Sequence, residues 1–323
     1  MAFILAILLS FIPAFGYAAI VYWLDRFEKE PAKLLVGAFL WGAFVATIGA
    51  IIWTSVLQLG LGALVGEEAA DLAGTTLLAP IVEEVLKGLA VAIIFVAFPH
   101  EFDSVLDGMV YGAITALGFA ATENVLYLYF LGYQEGGYAE MIALFVLRVI
   151  LGGWGHAVYT AFIGAGFAIG RLWRGPGIRL AFPLLGLFVA IFLHALHNSM
   201  AVILGASLGL AGLGATLLVD WIGWGVAFAV VVWAILRERR WIAVYLREEV
   251  DRGMISAEQY ATACSLRRQL GARMRGRESR QFYETLAELA QKKHQLAVRG
   301  EELGNSARVA MLRERLAQLA PGV

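Results

Sequence analysis

Residues 75–98 read TTLLAPIVEEVLKGLAVAIIFVAF, and how this stretch is read decides the fold. Its 24 residues are enough for one helix, rising 1.5 Å per residue, to cross a hydrocarbon core about 30 Å thick. Near its middle stand three ionisable residues, Glu83, Glu84 and Lys87. Placing such a side chain near the centre of a bilayer costs roughly 2.5–3.5 kcal/mol, so these residues need a functional reason to be there. On a helix Glu83 and Lys87 are one turn apart and can pair, which turns Glu84 about 100° away. The spacing therefore predicts that the two glutamates serve different partners.

Outward from this stretch the same composition repeats. Of the 323 residues 60% are apolar or aromatic and only 16% are charged, against about 25% in a soluble domain. That excludes an ordinary soluble protein. Hydropathy predicts spans at 2–24, 35–60, 75–98, 106–131, 140–169, 179–207 and 212–236. The fold expected is all-α: a polytopic transmembrane bundle of about seven spans, residues 1–236, with a small cytoplasmic helical appendage, residues 237–323. The first run has no basic segment before it and no small-residue cleavage signature after it, so it is read as a retained span. The single cysteine, Cys264, offers neither a disulfide framework nor a thiolate metal site.

Charge sets the expected orientation. Arg26, Lys29 and Lys33 follow the first span, and Arg171, Arg174 and Arg179 follow the fifth. The connections near 61–74, 132–139 and 208–211 contain no Lys or Arg. The positive-inside rule then puts the N-terminus outside and the tail in the cytoplasm. That tail carries 17 Lys plus Arg against 11 Asp plus Glu, a net charge of +6, which suits contact with anionic lipid and calls for no nucleic acid. Ser256 with Gln259 resembles a capping box, and Phe282, Leu286, Leu289 and Leu296 share one helical face, as do Val309, Leu312, Leu316 and Leu319. Three tail helices are expected. In the fifth span Gly164, Gly166 and Gly170 have the spacing of close helix approach.

The remaining intramembrane ionisable residues are Asp107 and Glu123 in the fourth span, Arg148 and His156 in the fifth, His194 and His197 in the sixth beside the amide of Asn198, and Asp220 in the seventh. His194 and Asn198 are one turn apart on one face, as are Phe119 and Glu123. Four successive spans thus offer carboxylates, imidazoles and an amide to a shared interior. Such a set can polarise a carbonyl, activate water and protonate an amine, the operations of amide hydrolysis. Lys87 and Asp107 are read as ion-pair or helix-end residues, Arg148 equally as a snorkelling or a functional residue, His197 as packing or support, and Asp220 as a solvated residue at the outer interface.

Three motifs lie in order on the third, fourth and sixth spans: Glu83-Glu84-Val-Leu-Lys87, Phe119-Ala-Ala-Thr-Glu123-Asn124 and His194-Ala-Leu-His-Asn198. Over about residues 18–205 the chain resembles the PrsW family of intramembrane proteases, distant relatives of the CAAX-processing and bacteriocin-processing membrane proteases. Asp25 to Pro31 and Asp107-Gly108 add context. The resemblance implies that Glu83, Glu84 and His194 are needed for activity, with Glu123, His156 and Asn198 around them. It also implies a membrane-anchored protein substrate, with a first cut in an anti-sigma factor, at a bacterial plasma membrane. No HExxH is present. A zinc ion could be held across helices by His156, His194 and Glu123, since three ligands and a water suffice. A metal-free glutamate mechanism, with His194 and Asn198 holding the oxyanion, stays open beside it. In both, Glu83 is the water-activating base and Glu84 orients the site or binds metal. A transporter or proton relay is the competing class, because carboxylates and histidines in membranes also mark ion pathways.

Overall fold

The structure is a computed structural model and describes residues 1–25, 29–173, 175–301 and 304–320. All regular structure among the described residues is helical. Two compact units emerge, one formed by Met1–Leu24 and Glu30–Val230, the other by Asp25–Lys29 and Val231–Val323. Arg26 and Arg174, two of the topology-setting arginines, lie outside the described residues.

In the first unit, α1 covers Ala2–Leu24. Helix α2, Ala32–Val65, contains a π-helical turn at Trp41–Ala46. A short helix α3, Glu67–Ala73, and a π turn at Gly74–Leu78 lead into α4, Ala79–Ala97. Then come α5, Val105–Leu126, extended by a π turn to Tyr133, and α6, Gln134–Leu144, extended likewise to Leu151. Helices α7, Gly155–Leu172, and α8, Pro176–Leu208, and the part of α9, Leu210–Tyr245, up to Val230 complete the series. Among the described residues five helical stretches are long and apolar enough to cross a membrane: Ala2–Leu24, Ala32–Val65, Val105–Leu172, Gly177–Leu208 and Leu210–Asp251. The third of these runs through both the fourth and the fifth expected span. Helix α4 is absent from the set because it carries Glu83, Glu84 and Lys87. The chain is an integral membrane protein with an all-α polytopic fold.

Helix α5 is the centre of this unit, with most of its side chains buried. A Cβ on Gly108 would stand 2.1 Å from the Gly164 carbonyl oxygen, and one on Gly164 would stand 1.7 Å from that of Gly108. On the other side of α5 a Cβ on Gly118 would stand 2.0 Å from the Phe39 carbonyl oxygen. Lipid supplies no hydrophobic drive between helices, so this close van der Waals approach is what holds them together. Asp107 closes a capping box with Ser104 at the start of α5, the helix-end role expected of it.

The fifth span, expected to run unbroken over 140–169, is interrupted. The chain turns back at Gly137 (φ 69°), and after the π turn it leaves helical form at Gly152–Trp154 before α7 begins. Glycine is required here, since a Cβ on Gly153 would stand 2.1 Å from the Val149 carbonyl oxygen. The carbonyls freed by the break find partners: Tyr17 Oη donates to Val149 O at 2.9 Å and Trp221 Nε1 to Leu151 O at 3.1 Å. A broken helix at membrane depth needs such bonds.

Among the described residues the second unit adds five helices, Arg247–Asp251, Ala257–Ala263, Leu266–Arg273, Arg277–Arg299 and Asn305–Leu319 (α10 to α14), where three were expected. The capping box at Ser256 and Gln259 is present. Phe282, Leu286, Leu289, Leu312 and Leu316 are buried in one core with Ile242 and Leu246.

Candidate active site

Helix α4 delivers three charges to one place. Lys87 Nζ lies 2.6 Å from Glu84 Oε1 and 3.6 Å from Glu83 Oε2. The expectation that the two glutamates have separate partners therefore fails. Positions three and four residues back fall on neighbouring parts of one helix face, and the long lysine stem reaches both. Lys87 and Glu84 are fully buried, and Lys87 also stands over the Phe119 ring at 4.3 Å and within 3.3 Å of His156 Nδ1.

Glu84 is saturated. Besides Lys87 it faces His194 Nδ1 at 3.0 Å and accepts from Thr160 Oγ1 at 2.7 Å. Bound in this way it orients the His194 ring, whose Nε2 lies 3.8 Å from Glu83 Oε2. Glu123 on α5 faces His156 Nε2 at 3.0 Å and accepts from Arg148 at 2.8 Å. Arg148 also donates to Asn124 Oδ1 at 3.2 Å, so it points inward to the site instead of snorkelling. Asn198 donates to the Thr75 carbonyl in the π turn before α4 at 2.9 Å. Glu83 differs from its neighbours: its Oε2 is buried and accepts no hydrogen bond from the described residues.

A polar cavity of about 140 Å³ is lined by Glu83, Glu123, Arg148, His156, His194 and Asn198, among others. Next to it an apolar cavity of about 280 Å³ is lined by Leu131, Leu144, Leu147, Ala201, Leu213 and the Gly152–Gly153 break. Tyr127, Arg148, His156 and His197 line both. Ligand atoms of Glu83, His156 and His194 lie within 4.8 Å of one another. Three atoms so spaced all fall within about 2.8 Å of a common point, which is hydrogen-bonding distance for a water held among them. Two imidazoles, each with a carboxylate at one ring nitrogen, and a third carboxylate whose Oε2 accepts no hydrogen bond from the described residues also form a donor set that fits a metal ion.

Residues 30–235 match the PrsW family intramembrane metalloproteases. The chain belongs to the PrsW family. It is 28% identical over 187 residues to Protease PrsW of Geobacillus kaustophilus, covering 58% of this chain and 75% of that protein. With Protease PrsW of Bacillus subtilis it shares 25% identity over 223 residues, 68% of this chain and 87% of the relative. A Clostridioides difficile Protease PrsW is 31% identical over 113 residues, 34% of this chain and 45% of its own length. No solved structure matches the chain. As a PrsW-family member it is an intramembrane protease that acts on a membrane-anchored protein, and this displaces the transporter or proton-relay reading.

Sequence reasoning missed three residues. Thr160 fixes Glu84. Tyr159 stacks on His194, ring centroids 5.3 Å apart. Asp220, expected in water, is 7% exposed and binds both Tyr159 and His197. Its position inside a hydrophobic span was the available signal.

Proposed function

We propose that this protease makes a cut in the outer part of a substrate's membrane segment or just beyond it, with Glu83 as the water-activating base. The Oε2 of Glu83, buried and accepting no hydrogen bond from the described residues, carries the reading. Every neighbouring carboxylate is held by a cation, a hydroxyl or an imidazole, so Glu83 is placed to take a proton from water between it, His156 and His194. Lys87 and Thr160 hold the Glu84 carboxylate in place, and Glu84 in turn orients His194. Asn198 spends one N–H on Thr75 O and keeps its second for the oxyanion. The apolar cavity gives room to side chains of an unwound substrate segment.

His156 and His194, whose ligand atoms converge with one of Glu83, would hold zinc with Glu123 or Glu83 as the third ligand; when bound it would polarise the carbonyl and lower the pKa of water. A base serving that water must sit beside the same imidazoles, as Glu83 does. In the orientation set by the positive-inside rule, Glu83 lies nine residues below Gly74, or roughly 14 Å from the outer face. This depth supports a first cut that sheds an external domain, and an anti-sigma factor is a substrate of that kind. The N-terminus is then outside, the tail cytoplasmic, and the membrane a bacterial plasma membrane.

Purified full-length protein in detergent, a single-span test substrate and metal analysis test the assignment. Glu83→Gln should abolish cleavage and keep the metal, whereas Glu123→Gln should lose metal and activity together. Metal loss in Glu83→Gln would make Glu83 the third ligand, and full cleavage by it would remove the site.

A further inference from the structure

His197 and Asp220 form a pair that the chemistry above does not use. His197 Nδ1 lies 2.7 Å from Asp220 Oδ2, and Tyr159 Oη donates to Asp220 Oδ1 at 3.1 Å. The carboxylate is thus fixed by two elements, α7 and α8, while standing on a third, α9. Asp220 is enclosed, its side chain 6% exposed, but the His197 side chain is 27% exposed. The open part of the ring is accounted for by its place in the wall of both cavities, at the junction of the polar chamber holding Glu83 and the apolar chamber beyond it. With Nδ1 turned to Asp220, Nε2 is the nitrogen left to face a ligand.

Amide hydrolysis needs a proton donor for the departing nitrogen as well as a base for the water. The other cations of the site are committed: Lys87 to Glu84 in full enclosure, Arg148 to Glu123 and Asn124. We infer that His197, held by Asp220 and Tyr159, donates the proton to the leaving amine, so that the amine side of the cut lies at the mouth of the apolar cavity. The inference rests on the protease reading of the Glu83 site. In the step, the C–N bond breaks, its electron pair stays on nitrogen, and nitrogen takes the Nε2 proton. The ring is left neutral with Nδ1–H on Asp220. Solvent water returns a proton to Nε2, and Glu83 releases to solvent the one it took from the attacking water, so one water is consumed and no net proton is gained. Asp220 supplies the counter-charge while the ring carries two protons. Asp220 and Tyr159 are positioning residues.

The test compares two forms of one single-span substrate, with the scissile bond an amide or the isosteric ester. An ester's alkoxide departs with far less help from an acid than an amine does, so loss of the donor should fall on the amide alone. Wild type, His197→Ala, His197→Gln and Asp220→Asn are assayed as full-length protein in detergent, with thermal unfolding as the check on folding. His197→Ala and His197→Gln should lose about 100-fold or more in kcat on the amide and less than about 10-fold on the ester, with Asp220→Asn showing the same pattern more weakly. Equal losses on both substrates in a folded variant, or an unchanged amide rate, would overturn the assignment and leave the pair a structural tie. Glu83→Gln separates the two readings: it should be inactive on both substrates, and activity there would sink the base assignment without touching the His197 ratio.

Discussion

The side chain of Lys87 has no exposure and meets Glu84, Glu83, His156 and the Phe119 ring. A buried ion pair adds little net stability over an apolar pair, but deleting one partner leaves a charge with no solvent and no counter-ion. Lys87→Met should therefore destabilise the membrane unit by about 3–5 kcal/mol and abolish cleavage. The double variant Lys87→Met, Glu84→Gln should recover most of that stability and none of the activity. Thermal unfolding in detergent reads both, and a Lys87→Met protein as stable as wild type would contradict this account of the cluster. The glutamates and lysine were legible as a motif from residues 83–87 alone. That Lys87 serves both glutamates was not, because angular separation on a helical wheel says nothing about the reach of a flexible four-carbon stem.

The break between α6 and α7 matters most at the level of elements. It places Arg148 on one side and His156 on the other, and it opens the apolar cavity at Gly152 and Gly153. Hydropathy sees only an apolar run across 140–169, and each glycine is compatible with a continuous span. What decides the break is crowding by the Val149 carbonyl four residues back and by the Tyr17 ring of α1, which leave no space for a side chain at 153. Gly153→Ala should lower cleavage by about 10- to 100-fold, since a displacement of about 1 Å at a catalytic group costs on that order. Gly37→Ala, where nothing stands within 4 Å of the added methyl, should leave the rate unchanged. Equal activity of the two variants would show that the break is incidental to the site.

At the scale of the whole molecule two consequences can be measured. Mass spectrometry of products from a substrate of known orientation should place the cut in or just beyond the outer part of the membrane segment; a cut at the cytoplasmic end would refute the topology or the site. In the tail, burial and then the Arg237 guanidinium pull the His294 imidazole down to about 4, and the ring stacks on Trp241 at 4.2 Å. A histidine whose folded pKa is depressed contributes fully above its unfolded value of about 6.5, and the contribution is lost as pH falls toward 4. Hydrogen exchange over 277–299, corrected for the intrinsic pH effect, should be faster at pH 5 than at pH 7, and His294→Leu should remove the difference. An unchanged exchange rate in the wild type would exclude the effect. The membrane class, the helical fold and the identity of Glu83, Glu123, His156 and His194 as out-of-place polar residues were determined by sequence alone, because bilayer thickness and the cost of burying charge act on any 20-residue segment regardless of its neighbours. Only the tertiary structure decided which of those residues meet, that Asp220 is enclosed and that the fifth span is broken. Those outcomes depend on contacts between helices up to 132 residues apart in the chain, such as Tyr17 with Val149, and no local pattern encodes them.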